Sequence, residues 1–101
     1  MKKLIRDNIP TLIVQSGKTP RVSVLDDHGF QKALRTKLLE ETFEFLEDDT
    51  LEELGDVLEV LRFLITNHRD FDGWNEFENM IKQKNSINGS FNKRLFLEGI
   101  I

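Results

Sequence analysis

At 101 residues the chain reads as one domain, 1–101, large enough for a modest core and near the size at which a second subunit completes it. No window holds the eighteen or more apolar residues that span a bilayer, and "MKKLIRDNIP" is too short an apolar run for a secretory signal, so a cytoplasmic protein without a membrane partner is expected. A net charge of -4 disfavours polymeric nucleic acid, and the absence of Cys with only two His leaves oxygen as the ligand for any metal.

In chain order, "NIPTLIVQSGK" predicts a short helix with Pro10 in its first turn and Gly17 at its stop. The alternating "TPRVSVL" is an extended connector. Asp26 or Asp27 caps a helix over 28–48. Thr50 and Glu53 have the spacing of a capping box, which starts a second long helix over 51–66. "RDFDGW" breaks that helix, a further one covers 74–85, "NSINGS" is a turn-rich loop, and "FNKRLFLEGII" is an apolar tail that must dock on something. Trp74 and Phe71 belong to a core, and His68 to a helix C-terminus. The fold class is all-α.

The stretch "EETFEFLEDDTLEELGD" carries nine acids in seventeen positions. At about 100 degrees per residue, the apolar side chains of 28–48, from Phe30 and Leu34 through Leu46, span an arc above 200 degrees. Glu41 falls inside that arc with Glu44 beside it, while Glu40 and Glu47 turn to the polar back. On 51–66, Glu53 and Asp56 flank Val60 within an apolar arc of about 240 degrees. Arcs this wide exceed what one neighbouring helix covers. A homo-oligomer, dimer or tetramer, is therefore expected, with a helical hairpin from each subunit joining in a four-helix bundle.

An unpaired buried carboxylate costs on the order of 5 kcal/mol, so four inward acids require a partner. Lys37, one turn before Glu41, can neutralise one of them, and capping would account for Glu53. The remaining candidate is a hard divalent cation, Mg2+ or Mn2+, for which clustered carboxylates are the usual protein ligands. Two such ions would balance four charges and suit the displacement of one phosphate oxygen by another. The bases lie apart from these acids, with Lys2, Lys3 and Arg6 near the start and Lys82, Lys84, Lys93 and Arg94 near the end.

The pattern Glu41-x-x-Glu44, eight residues, then Glu53-x-x-Asp56, set in "LLEETFEFLED" and "LEELGDVLEV", resembles the MazG-like all-alpha nucleoside triphosphate pyrophosphohydrolases. Phosphoribosyl-ATP pyrophosphohydrolase and the dimeric dUTPases are related to that family. The opening "KLIRDNIP" and the closing "NGSFNKRLFL" look like the ends of its short, stand-alone, house-cleaning members. The resemblance implies Mg2+ held by Glu41, Glu44, Glu53 and Asp56. It also implies attack of water on the α phosphorus of a nucleoside triphosphate, giving a monophosphate and pyrophosphate. Among the catalytic acids Glu41 and Glu44, the more embedded Glu41 is the first choice as general base. The family's closing motif reads Lys, three residues, Arg-Gly-Gly-Phe. Here Lys84 is followed by Asn88-Gly89-Ser90-Phe91, so Lys84, Lys93, Arg94 and Arg6 are the candidate phosphate contacts. Two rival readings are a non-catalytic helical dimerisation module, whose inward acids pair with bases, and a degenerate nucleotide-binding sensor.

Overall fold

The computed structural model describes residues 2–101. Among them are four helices and no strand: α1 (Ile9–Gln15), α2 (Asp27–Asp48), α3 (Leu51–Thr66) and α4 (Trp74–Asn88). The all-α expectation is met. The chain divides into two compact units, Met1–Arg69 and Asp70–Ile101. No described helix is long and apolar enough to cross a membrane.

In the first unit α2 and α3 form a hairpin whose turn is built by local chemistry. Asp26 opens α2 by accepting the Gly29 N–H at 2.8 Å. The helix closes at Asp49, which has a φ of 49° and donates its N–H to the Phe45 carbonyl at 2.8 Å. A short polar side chain such as Asp tolerates this left-handed conformation. Thr50 then caps α3, its Oγ1 accepting the Glu53 N–H at 3.1 Å, an arrangement worth about 1 kcal/mol. With two residues between them the helices run antiparallel, and α2 packs on α3.

On each helix of the hairpin the broad apolar arc is covered along one side and exposed along the other. On α2 the positions 34, 38, 41 and 45 are covered, whereas Leu39, Phe43 and Leu46 are exposed. On α3 the covered positions are 53, 57, 60 and 64, and the bare ones are Leu51, Leu54, Leu58 and Leu61. The inner stripes meet around Leu34, 3% exposed, and Val60, 9% exposed. Phe30 and Phe63 close one end edge-to-face, with ring centroids 6.4 Å apart.

Helix α1 has Pro10 in its first turn and is followed by Gly17 at a φ of 90°, as its sequence requires. The connector from Lys18 to Asp26 takes no regular structure, and Val24 is fully exposed.

In the second unit, α4 runs three residues further than the expected 74–85, to Asn88. Ser86 bonds back to the Gln83 carbonyl at 2.8 Å, and Gly89, at a φ of 77°, stops the helix. Phe71, Trp74 and Phe77 form an edge-to-face aromatic series at 5.6 and 5.8 Å. In the apolar tail Phe91, Leu95, Phe96 and Leu97 are exposed on this chain.

Candidate metal centre

The hairpin turn fixes the register in which acids from the two helices meet. Glu41, two turns back from the end of α2, faces Glu53 and Asp56, which stand at i, i+3 in the first two turns of α3. Each of the three places a carboxylate oxygen within 4.8 Å of the others. Glu41 is buried, at 8% exposure, and Glu53 and Asp56 are half-buried. Glu47 is exposed, and Glu40 is half-covered and bound to Lys37. The inward direction of Glu41 follows from the helical phase.

Charge compensation inside the trio is incomplete. Lys37 Nζ lies 3.3 Å from carboxylate oxygens of both Glu41 and Glu40. Arg6 Nη2 donates to Asp56 Oδ1 at 2.8 Å. Glu53 makes no ion pair among the described residues. The Oε2 atoms of Glu41 and Glu53 are buried and have no hydrogen-bond partner among the described residues. Buried acceptors in folded proteins are usually met by a side chain, an ordered water or an ion.

The electrostatics follow. Burial pushes the Glu41 carboxyl above its ordinary value, the Glu44 carboxyl adds to the effect, and Lys37 opposes it. Glu53 is likewise raised by desolvation and by the charges of Asp56, Asp48 and Glu41, against a hydrogen bond with Glu44. Burial alone would lower Lys37, but Glu40 and Glu41 outweigh it and hold its ammonium above the usual range.

Glu44 stands apart from the converging three. Its side chain is exposed, yet its carboxyl interacts with those of both Glu41 and Glu53. Of the four candidate phosphate contacts, Arg6 is at the acids, whereas Lys84, Lys93 and Arg94 belong to the second unit. The capping box is half formed. Thr50 serves the Glu53 N–H, while the Glu53 carboxylate joins the acids and leaves an oxygen unpartnered.

A cavity of about 370 Å³ opens beside Glu41 and Asp56. It is lined by the apolar side chains of Phe30, Leu34, Val60 and Phe63 and by Arg6 and Asn8 of the opening segment. Sequence reasoning missed this wall. Arg6 and Asp56 are fifty positions apart, and an irregular segment has no periodicity from which to read its direction.

The donor set fits a hard divalent cation. It consists of carboxylates alone, two of its buried oxygens lack a partner, and side-chain rotation closes a separation of this size onto one ion. Glu41, Glu53 and Asp56 would hold it.

The chain is 46% identical over 50 residues to an uncharacterized protein of Mycolicibacterium smegmatis, in a segment that covers 50% of this chain and 51% of that protein. The chain thus spans about half the length of the relative it matches. No family model matches the sequence. No solved structure matches it either.

Proposed function

We propose that this chain is a cytoplasmic, Mg2+-dependent nucleoside triphosphate pyrophosphohydrolase of the MazG-like type, which acts as a homo-oligomer. The observation that carries the reading is the acid trio with two orphaned oxygens, beside a cavity whose apolar lining suits an aromatic base and which Arg6 also lines. A bound cation would supply neutralisation of charge on the phosphate oxygens, in a site where Glu53 has no other counter-charge.

The protein's own residues do the rest. The α phosphorus is attacked by the oxygen of a water, the bond to the α–β bridging oxygen breaks, and that oxygen leaves with pyrophosphate. The proton of the water passes to a carboxylate. Glu44 is suited to receive it, because it lies outside the three converging acids while its carboxyl acts electrostatically on those of Glu41 and Glu53. The Arg6 guanidinium is suited to phosphate oxygens, and Phe30 and Phe63 to exclusion of water from the cavity. The bare outer stripes of α2 and α3 support pairing with a second hairpin, since a contiguous exposed apolar face of this extent marks an interaction surface.

A second reading, the non-catalytic dimerisation module, is favoured by one observation: Lys37 and Arg6 already pair with two of the three acids. It requires no metal. Pyrophosphate release from a panel of nucleoside triphosphates, with and without Mg2+, separates the two. Release that needs both Mg2+ and Asp56 supports the enzyme, and no release from any triphosphate supports the module.

A further inference from the structure

We propose that Arg6 is a displaceable counter-ion, which holds the Asp56 carboxylate until a divalent cation takes its place. The opening segment 2–8 would then set how readily the hairpin accepts a metal. This rests on the metal reading above and concerns what the cation must displace rather than what it does.

Four observations point this way. The Arg6–Asp56 contact, at 2.8 Å, is shorter than the ion pairs of Lys37 with Glu40 and Glu41 and of Arg62 with Glu59, each 3.3 Å. A carboxylate oxygen engaged by a guanidinium has less to offer a cation, and a cation in the trio would set two positive charges against the same group. The second observation is exposure: the Arg6 side chain is 60% exposed and that of Asp56 35%, so the guanidinium can leave into water with little desolvation to undo.

Third, the two cations at the acids differ in their alternatives. Lys37 touches Glu40 as well as Glu41, so it keeps a partner when Glu41 turns to a metal. Arg6 has no second acid in contact among the described residues. Its release therefore leaves a free guanidinium at the cavity, where an anionic group such as a phosphate can satisfy it. Fourth, Arg6 belongs to the opening segment and to neither helix of the hairpin, which its side chain meets at Asp56. Its carbonyl accepts the Ile9 N–H at 3.1 Å, and Leu4 and Ile5 before it are half-buried. The strap can let go of Asp56 without disturbing the register that brings the three acids together.

The consequence is a coupling between sites. Metal alone meets resistance from Arg6, and a phosphate that offers Arg6 a new partner removes it. The test uses Mn2+ alone, with free ion counted by electron paramagnetic resonance, on the full chain and on the variants Arg6→Gln and Arg62→Gln. Arg62 is an exposed Arg of α3 paired with Glu59 and controls for the general loss of a positive charge. Arg6→Gln should bind Mn2+ about two- to five-fold more tightly than the unaltered protein, the size of a partly exposed ion pair, and Arg62→Gln should not. Equal or weaker binding by Arg6→Gln, or equal tightening by both variants, overturns the counter-ion role and leaves the metal centre standing. Absence of Mn2+ binding in all three proteins overturns the metal reading, and this inference with it.

Discussion

The inner and outer stripes of the hairpin are alike in helical spacing and opposite in fate. The outer one, Leu39, Phe43 and Leu46 with Leu51, Leu54, Leu58 and Leu61, contains no charge and stands bare. The inner one carries the buried Glu41 and the half-buried Glu53, with the half-buried Asp56 at its edge. Apolar content alone would have chosen the other face for burial. The difference teaches that the turn decides first: Asp49 in its left-handed conformation and the Thr50 cap fix which sides of two antiparallel helices meet. The acids are then enclosed and must find compensation. Lys37 and Arg6 provide part of it, and the buried Oε2 atoms of Glu41 and Glu53 have no hydrogen-bond partner among the described residues.

The sharpest way to break this comparison is to cut one large side chain from each stripe. Leu34→Ala on the inner side should cost about 2–5 kcal/mol, as for a buried Leu elsewhere. Phe43→Ala on the outer side would cost within about 0.5 kcal/mol if that face met only water. In the proposed oligomer it should instead cost about 3 kcal/mol, with a midpoint of denaturation that rises with protein concentration. A small, concentration-independent loss for Phe43→Ala would confine the fold to a single hairpin.

Next in size is Asp56→Asn, which keeps shape and removes one inner charge. Loss of a hard anionic ligand should lower Mg2+-dependent pyrophosphate release on the order of 100-fold. The folded state without metal should change by no more than about 1 kcal/mol, because the bond given up, to Arg6, is partly exposed. A large loss of stability with no activity to lose would favour the dimerisation module.

A smaller contrast lies within α2. Glu41→Gln should abolish release, whereas Glu40→Gln and Glu47→Gln should leave rate and stability within about two-fold and about 0.5 kcal/mol. Glu40 shares Lys37 with Glu41, so its removal leaves that ammonium to the buried acid. Equal losses in the three variants would show that the trio is not the seat of the chemistry.

Much of this arrangement was legible in advance because it is periodic or local. The caps at Asp26 and Thr50, the limits of α3 and the inward phase of Glu41 all follow from spacing within a few residues. What was not legible depends on distance or competition. The Arg6–Asp56 bond joins an irregular segment to a helix fifty residues on. Glu53 could have turned back to the Thr50 N–H, and only the approach of α2 shows that it serves the acids instead. The broad arc expected for each helix is covered on one side only, as its width requires when a single helix packs against it. The added turn of α4 passed unseen because Ser and Asn read as loop formers, although Ser86 satisfies itself on the helix backbone.

The central claim, that the inner acids await a cation, is tested most directly at Glu53, the member of the trio without an ion pair. Its carboxyl is raised above its ordinary value of 4.5, so its charge opposes folding in full above the folded-state value, and the penalty fades as pH falls from that value toward 4.5 and is gone below it. Melting of the unaltered protein and of Glu53→Gln should be followed from pH 4 to 8, with and without Mg2+. Without metal at pH 7 the variant should melt at least as high as the unaltered protein, and the difference should close at the acid end. With Mg2+ at about 100 times its dissociation constant the unaltered protein should gain about 2.7 kcal/mol, and the variant much less. A melting temperature that ignores Mg2+ in the unaltered protein, together with a Glu53→Gln variant destabilised at pH 7, would contradict the account.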